Sequence, residues 1–410
     1  MRLLTEHELV SWFGSMPLAE PRAVASGNFA TPRRLVELFD TAVESYRLFA
    51  LNAQGALPDR EGIVYETPFV GPAMRGHASL DYLPMRLSLV PRLFAVARPP
   101  DVALLHTSTP RGGKVSLGIE VNILPAAIEQ TRANGGLVVA QCNPKMPYTY
   151  GDGEIDLELV DLAIEVEEEL QVPSRRDVGE TTMAIAEGVA SLVSDGATLQ
   201  AGIGEVPDAV IGLLQSRRSL RIWTEAMGDG VLALEKAGAL DGDTVITATF
   251  LFGSSELNTW VDGNERVRLL RTETVNDPSR IARHPAMCSL NAALQVDLWA
   301  QANASYVHGG IHSGFGGQPD FVVGALHSRD GQAIISLPSW HEKSGTSTIV
   351  GLLDVPATSF QHSVVVTEQG YARIFGRSQR AQARLLIEEA AHPDARAALW
   401  EVAGRIGRRS

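Results

Sequence analysis

The chain has 410 residues, of which 45% are hydrophobic, and a formal net charge of −13. At roughly 100–200 residues per domain, this length predicts two or three domains with substantial cores. The acidic charge argues against non-specific nucleic-acid binding, but it leaves room for an anionic small ligand in a local pocket. Two cysteines, Cys142 and Cys288, are too few for a disulfide framework or a Cys-rich zinc site. No signal core or long apolar stretch is present, so we expect a cytoplasmic protein without membrane contact.

Strands and helices are predicted to alternate through the first half. Residues 22–25 form a predicted strand, and the turn that follows leads to a helix with Thr31 as N-cap and Pro32 at its first position. Further strands are predicted at 47–51, 63–66, 101–106, 115–121 and 136–142, with a helix at 125–134. This alternation is typical of an α/β domain with a mainly parallel sheet.

Residues 171–178 form the predicted linker, with Pro173 and the charged run Arg175-Arg176-Asp177. They divide an N-terminal domain, residues 1–178, from a C-terminal domain, residues 179–410. A strand at 197–200, a turn from Gly202 to Pro207 and a helix at 208–214 repeat the spacing of the first unit. We therefore predict two related open α/β domains.

The later elements of the second half are predicted in the same way. Strands are expected at 244–250, 267–271, 333–337 and 363–366, and helices at 180–193, 231–236, 256–261 and 379–391. Between 272 and 304 the pattern is mixed and predicts no strand. The last six residues, 405–410, are expected to fray.

Glu225 is the first candidate for chemistry. It follows an apolar, strand-like run at 220–223 and precedes the helix at 231–236. Open α/β sheets place their active groups outside the carboxyl ends of their strands. A solvated or capping Glu is the alternative at such a junction.

A glycine-rich loop at 308–321 is the second candidate, with five glycines between Gly309 and Gly317. Glycine costs backbone entropy, which a chain tolerates where the backbone approaches a ligand or where N–H groups converge on an anion. A flexible surface loop is the alternative, but Phe315 and Phe321 favour an ordered turn. The loop matches neither a Walker phosphate loop nor a dinucleotide fingerprint.

Metal and serine chemistry have no support in the sequence. His308 and His312 are four residues apart, but they lie in the glycine-rich loop rather than on a helix. No Gly-x-Ser-x-Gly elbow is present, so we predict no metal and no serine nucleophile. A carboxylate nucleophile or acid/base group remains, with backbone amides as the oxyanion site.

Several stretches, taken in order, resemble one family. They are Leu199-Gln200-Ala201-Gly202-Ile203-Gly204-Glu205-Val206-Pro207-Asp208-Ala209-Val210, Thr224-Glu225-Ala226-Met227-Gly228-Asp229-Gly230, Val275-Asn276-Asp277-Pro278, Ser313-Gly314-Phe315-Gly316-Gly317-Gln318-Pro319-Asp320-Phe321, Val365-Val366-Thr367-Glu368-Gln369-Gly370 and Ala391-His392-Pro393. The chain is similar to the acetyl-CoA hydrolase/transferase family, a branch of the class I CoA-transferases that includes 4-hydroxybutyrate and acetate CoA-transferases.

The resemblance implies a ping-pong CoA-transferase with Glu225 as nucleophile, passing through an acyl-glutamyl anhydride and a glutamyl-CoA thioester. It implies acyl-CoA and small carboxylic acids as substrates, coenzyme A as a substrate rather than a bound cofactor, and a homodimer or higher homo-oligomer. The implied oxyanion and substrate contacts are Asn28, Gln200, Gly202, Ile203, Gly204, Gly316 and Gly317. The implied CoA contacts are Gly314, Gly316, Gly317 and Gln318.

Two departures from the family pattern leave alternatives open. Many members carry Gly-His-Ala where this chain has Ser26-Gly27-Asn28, and Asn donates hydrogen bonds without carrying charge. The acid specificity therefore stays open. Ala226 and Gly228 are smaller than the family's usual neighbours of the Glu, so a wetter pocket and an acyl-CoA hydrolase are the first alternative. A sugar-phosphate isomerase or sensor on a similar fold is the more distant one.

Overall fold

The computed structural model describes residues 1–174, 178–355, 357 and 362–406, without the side chain of residue 406. The charged run of the predicted linker, residues 175–177, and the end of the tail that was expected to fray, residues 407–410, lie outside this description. The chain divides into two compact units. The first unit comprises Met1–Pro173, Val245–Val275 and His312–Gly316, and the second comprises Ser174–Thr244, Asn276–Ile311 and Gly317–Ser410. The predicted domain boundary between residues 178 and 179 stays a prediction.

The strands and helices follow one another along the chain with these bounds. Residues 1–174 contain β1 (Arg2–Leu3), α1 (Glu6–Gly14), β2 (Arg22–Ala25), α2 (Arg33–Ala42), β3 (Tyr46–Phe49), β4 (Ile63–Thr67), β5 (Leu80–Tyr82), α3 (Val90–Val96), β6 (Val102–Thr107), β7 (Lys114–Ser116), α4 (Leu124–Ala133), β8 (Leu137–Cys142), β9 (Tyr150–Gly151), β10 (Glu154–Asp156) and β11 (Leu162–Glu165). Residues 178–275 contain α5 (Glu180–Ser191), β12 (Thr198–Ala201), α6 (Glu205–Leu213), β13 (Arg221–Ile222), β14 (Ala226–Met227), α7 (Asp229–Lys236), β15 (Ile246–Ala248), β16 (Phe250–Leu251), α8 (Ser255–Val261), β17 (Val267–Leu269) and α9 (Thr272–Val275). Residues 276–406 contain α10 (Pro278–Ile281), β18 (Met287–Ala292), β19 (Gln295–Asp297), β20 (Ala302–Asn303), β21 (Tyr306–Val307), β22 (Gly310–Ile311), α11 (Gln318–His327), β23 (Gln332–Ser336), β24 (Trp340–His341), β25 (Thr346–Ser347), β26 (Ile349–Val350), β27 (Val364–Thr367), β28 (Gly370–Arg373), α12 (Gln379–Leu385) and α13 (Pro393–Ile406).

The first unit is built on an eight-stranded sheet with the order β1-β11-β8-β6-β2-β3-β4-β5. Every neighbouring pair in this sheet is parallel. Its central strand β6 is buried at all six positions, which explains why it reads as an apolar run rather than as an alternating strand. Helix α2 buries the apolar face Leu35, Val36, Leu38 and Phe39. The predicted α/β fold with mainly parallel sheets is confirmed.

Two local predictions in the first unit are wrong. The residue before helix α2 is Pro32 rather than Thr31, and the Thr31 hydroxyl instead donates to Asn28 O at 2.8 Å. The strand predicted at 115–121 ends at Ser116, since Gly118 has a φ of +61° and a Cβ there would lie 2.1 Å from Met146 Sδ. Strand β7 pairs antiparallel with β10.

The second unit has a six-stranded sheet with the order β13-β12-β18-β23-β27-β28. All its pairs are parallel except β27 with β28. Strand β18 lies inside the stretch where the sequence predicted no strand. Its polar residues Ser289 and Asn291 interrupt the apolar pattern, yet both are buried because they hydrogen-bond to Gln200 on β12.

Helix boundaries in the second unit also differ from the prediction. Helix α6 begins at Glu205, so Pro207 lies inside its first turn, where a missing N–H costs no helical hydrogen bond. The helix predicted at 379–391 consists of α12 and a wider π-helical turn, Leu386–Ala390. Helix α13 was not predicted. Within the described ranges, no helix is both long and apolar enough to cross a membrane.

Candidate active site

Glu225 lies just beyond the carboxyl end of β13, in the link to β14. The backbone N–H of Trp223 donates to Leu199 O at 3.1 Å, which holds the chain beside β12 as far as this residue. The buried Thr224 hydroxyl donates to Ala226 O at 2.8 Å, which fixes the turn that carries Glu225. The sheet and this turn together place Glu225 at the edge where open α/β sheets hold their ligands.

Asn276 holds one oxygen of the Glu225 carboxylate. Its side-chain Nδ2 donates to Glu225 Oε2 at 2.6 Å. Asn276 is fully buried between α9 and α10, and its Oδ1 has no hydrogen-bond partner within the part of the chain that the structure describes. The adjacent Asp277 caps α10 by accepting from the N–H of Ser279 at 2.8 Å, which fixes the backbone beside Asn276.

Gly317 lies against the same carboxylate oxygen, at the start of α11. A Cβ at this position would be 1.7 Å from Glu225 Oε2 and 2.2 Å from Asn276 Nδ2. Side-chain atoms do not approach so closely, so only glycine permits this arrangement. The N-terminus of a helix carries partial positive charge, which favours an anion beside it. Gly317, Asn276 and Glu225 therefore form one compact group, which we call the Glu225 cluster.

The environment of the Glu225 carboxyl raises its pKa from 4.5 to about 7, mainly because burial disfavours the charged form. The hydrogen bond from Asn276 acts in the opposite direction, and the charge of Asp320 raises the pKa further. Asp320 is fully buried on the first turn of α11. The residue Glu225 itself keeps part of its surface accessible. A carboxyl that titrates near neutral pH is able to act as nucleophile or as acid/base.

Gln200 and the turn after β12 have contacts of their own within the second unit. Gln200 lies in a buried polar cluster, where it accepts from Ser289 Oγ at 2.7 Å and contacts Asn291. The N–H of Gly202 donates to Leu290 O at 2.9 Å, so the sheet already uses this amide. Gly204, with a φ of +129°, precedes α6. The oxyanion roles predicted for Gln200, Gly202, Ile203 and Gly204 stay predictions.

Three further predicted residues belong to the first unit. A Cβ on Gly314 would lie 2.3 Å from Pro68 O, and one on Gly316 would lie 3.1 Å from the Phe69 ring. Asn28 is buried in a left-handed conformation with a φ of +47°.

The Asn28 carboxamide is engaged at both ends. Its Nδ2 donates to Glu120 Oε2 at 2.6 Å, and its Oδ1 accepts from Asn52 at 2.8 Å. A substrate group would have to share these partners or use the second N–H of the amide. The roles of Gly314, Gly316 and Asn28 stay predictions.

Sequence reasoning did not assign roles to Asn276 or Asp320, although both lie in stretches that carry the family resemblance. The available signal was the position of Asn276 directly before Asp277-Pro278, a helix-start pattern.

As for metals, no three His, Cys, Asp or Glu side chains lie close enough to hold an ion among the described residues.

Solved structures define the class of this fold. A 4-hydroxybutyrate CoA-transferase from Porphyromonas gingivalis superimposes with a TM-score of 0.83 at 30% identity, covering 100% of this chain and 98% of that one. RipA from Yersinia pestis superimposes with a TM-score of 0.89 at 26% identity, over 99% and 98% of the two chains. The fold is thus that of CoA-transferase-type α/β enzymes.

Sequence comparisons give the family. The acetyl-CoA hydrolase/transferase N-terminal domain model matches residues 68–174, and the C-terminal domain model matches residues 253–403. The 4-hydroxybutyrate coenzyme A transferase of Clostridium kluyveri is 39% identical over 78% of this chain and 76% of its own. A succinyl-CoA:acetate/propanoyl-CoA:succinate CoA transferase of Fasciola hepatica is 33% identical over 92% and 83%. The chain belongs to the acetyl-CoA hydrolase/transferase family. The predicted family, and the prediction that the chain is an enzyme of it, are confirmed.

Proposed function

We propose that the protein is an acyl-CoA:carboxylate CoA-transferase in which Glu225 is the nucleophile. The observation that carries the proposal is the enclosed carboxylate of the Glu225 cluster, with Asn276 on Oε2 and the Cα of Gly317 against the same oxygen. Three relatives that match over 78%, 92% and 80% of the chain are named CoA transferases, which supports the same reaction.

The first half-reaction moves CoA onto the enzyme. Glu225 Oε1 attacks the thioester carbonyl carbon, the C–S bond breaks, and CoA leaves as the thiolate with the acyl group bound as a glutamyl anhydride. The thiolate then attacks the Glu225 Cδ, which releases the first acid as a carboxylate and leaves a glutamyl-CoA thioester. A second carboxylate repeats the two steps in reverse. Each bond broken is replaced by one of similar energy, so the exchange requires no external energy source.

Asn276 is suited to stabilise the charge that develops on the glutamyl carbonyl. In the anhydride and in the thioester, Oε2 becomes the carbonyl oxygen, and attack at Cδ turns it into an oxyanion. The 2.6 Å hydrogen bond from Asn276 Nδ2 is already directed at this atom. Loss of one such donor typically lowers kcat by about 10²–10³-fold. The partial positive charge at the start of α11 acts in the same direction.

A pKa of about 7 for Glu225 fits this chemistry at neutral pH. At neutral pH a substantial fraction of the Glu225 carboxyl is ionised and able to attack. Poor solvation destabilises the charged form of this carboxylate relative to one in water. Gln318 begins α11, directly after Gly317, and its contact with CoA stays a prediction. Homo-oligomer formation and a cytoplasmic location stay predictions.

The proposal extends to small carboxylic acids as a class. The relatives are named for 4-hydroxybutyrate, succinate and cyclohexane-1-carboxylate, acids that differ in length and polarity. Hydrolysis at the same Glu is the competing activity. An acetyl-CoA hydrolase of Kluyveromyces lactis is 34% identical, but only over 48% of this chain, so transfer is the better-supported reaction.

A mass measurement tests the proposal. The protein is mixed with acyl-CoA in the absence of an acceptor acid, and intact mass with peptide mapping is used to look for a CoA adduct on Glu225. We expect the adduct on the unchanged protein and on Glu342→Gln, an exposed control, but not on Glu225→Ala. Addition of acetate should then discharge the adduct as acetyl-CoA.

Two results would contradict the proposal. Full transfer activity of Glu225→Ala would remove Glu225 from the mechanism. Steady consumption of acyl-CoA with no adduct and no transfer to any acid would identify a hydrolase.

A further inference from the structure

A cavity lies in the second unit, at the end of the sheet opposite to Glu225. It has a volume of about 370 Å³ and is lined by Gly331, Gln332, Ser363, Val364, Arg373, Phe375 and Arg377. Gln332 and Val364 are the first residues of β23 and β27, and Gly331 and Ser363 directly precede them. The cavity thus opens at the amino ends of these strands.

Glu225, in contrast, follows the carboxyl end of β13. Strands β13, β12, β18, β23 and β27 are all parallel, so their amino ends share one edge of the sheet. Five-residue strands such as β23 span about 17 Å at 3.3 Å per residue. A small ligand in the cavity would therefore not reach the Glu225 carboxylate, and the cavity is a separate site.

Two arginines give the cavity its charge. Neither Arg373 nor Arg377 has a carboxylate within ion-pair distance among the described residues, whereas many other arginines of this acidic chain are paired with one. The Arg373 guanidinium instead lies over the Tyr371 ring, 5.3 Å from its centroid. Stacking of this kind orders a guanidinium and leaves its N–H groups available to a ligand.

An aromatic surface adjoins these cations. Ala372 and Ile374 point into the core, so Tyr371, Arg373 and Phe375 share the outer face of the chain along β28 and just beyond it. Phe375 is 60% exposed, so its ring is open to solvent beside the two arginines. A row of aromatic, cationic and aromatic side chains suits a ligand that is both planar and anionic.

Gln332 is a fixed part of the lining. Its Nε2 donates to Leu192 O at 2.9 Å, which holds the amide in place.

We propose that this cavity binds a free nucleoside diphosphate or triphosphate. The base stacks on Phe375, and the phosphates pair with Arg373 and Arg377. The volume is at the lower end of the usual range for ligand pockets and exceeds what inorganic phosphate alone needs. The net charge of −13 disfavours a polyanionic nucleic acid at the same place.

Calorimetry with ADP on the full chain tests the proposal. We expect ADP to bind the unchanged protein, and Arg373→Gln or Arg377→Gln to weaken this binding about tenfold or more, because each removes a charge-assisted contact. The matched control is Arg384→Gln, which removes the same charge from α12, where Arg384 pairs with Glu388. Its affinity for ADP should stay the same. Phe375→Ala should weaken ADP binding but leave pyrophosphate binding unchanged.

Because CoA itself contains a phosphorylated adenosine, the titration is repeated with saturating CoA. ADP binding that persists in saturating CoA and is lost in Arg373→Gln supports the separate site. ADP binding that CoA abolishes, or that withstands loss of both arginines, would place ADP elsewhere and overturn the proposal. A single-stranded oligonucleotide that binds more tightly than ADP through the same arginines would overturn it in favour of nucleic acid. No binding of ADP at millimolar concentration would also refute it.

Discussion

Substitution of Gly317 by alanine tests whether the Glu225 cluster is the catalytic centre. The added methyl group would lie 1.7 Å from Glu225 Oε2, 2.2 Å from Asn276 Nδ2 and 2.9 Å from Glu225 Cδ. Since a Cβ is essentially never within 3.0 Å of such an atom, the carboxylate must move by about 1.3 Å, the difference from the first distance. Alanine tolerates the backbone here, with φ −89° and ψ −4°.

The size of the effect follows from this displacement. A hydrogen bond of 2.6 Å between Asn276 and Glu225 does not survive a shift of more than 1 Å on either partner. Loss of an oxyanion donor costs about 10²–10³-fold in kcat, and a misplacement of about 1 Å is itself sufficient for about 10²-fold. We therefore expect kcat to fall by at least about 10²-fold. Asn276→Ala should have a similar effect, and the double variant should be little worse, because both changes disrupt one contact.

The assay measures steady-state transfer between acetyl-CoA and a second acid, together with the glutamyl-CoA adduct and the melting temperature. Gly212→Ala is the matched control, since Gly212 lies on α6 in the same unit with no atom within 4 Å of an added Cβ. It should leave kcat unchanged and stabilise the protein by up to about 1 kcal/mol. If Gly317→Ala folds and keeps more than about a third of kcat, the position of the carboxylate against Gly317 does not matter for catalysis, and our reasoning on the cluster fails.

Three further predictions concern pH and stability. Because only the carboxylate attacks, single-turnover adduct formation should rise with pH through about 7, and a midpoint near 4.5 would show that burial does not control Glu225. Because the pKa of Glu225 is higher in the folded protein than in the unfolded chain, folding favours the protonated carboxyl. This stabilisation is fully present below pH 4.5 and is lost as the pH rises through 7. Glu225→Gln should therefore be more stable than the unchanged protein at pH 8.5, by up to about 3 kcal/mol in urea unfolding, with no gain at pH 4. In the first unit, the fully buried Glu66 carboxylate contacts Arg22, Arg47 and Arg98, and Glu66→Gln should cost about 3–5 kcal/mol in the same assay without altering Glu225 chemistry. The exposed pair of Arg34 with Glu37 supplies the control, because Glu37→Gln should cost less than about 1 kcal/mol.

The sequence predicted the bounds of strands best where both faces of the strand are buried. Strand β2 has the predicted bounds, and β6 and β8 lie within one residue of theirs, because strands covered on both faces carry continuous apolar runs. Strand β18 was missed for the opposite reason. It is central and buried, but Ser289 and Asn291 pair with Gln200 on the neighbouring strand and break the apolar pattern. Such polar pairing depends on which strands become neighbours, and the local pattern does not contain that information.

The candidate site divides in the same way. The sequence by itself determined that Glu225 follows a strand and that Gly317 lies in a glycine-rich turn before a helix, since strand ends and glycine positions are local properties of the chain. Only the tertiary structure decided that Asn276, 51 residues away, donates to the carboxylate, and that Gly317 lies against it. The buried charge of Asp320 reaches Glu225 for the same reason. Distances between side chains on separate elements, and the pKa that follows from them, exist only once the sheet has brought those elements together.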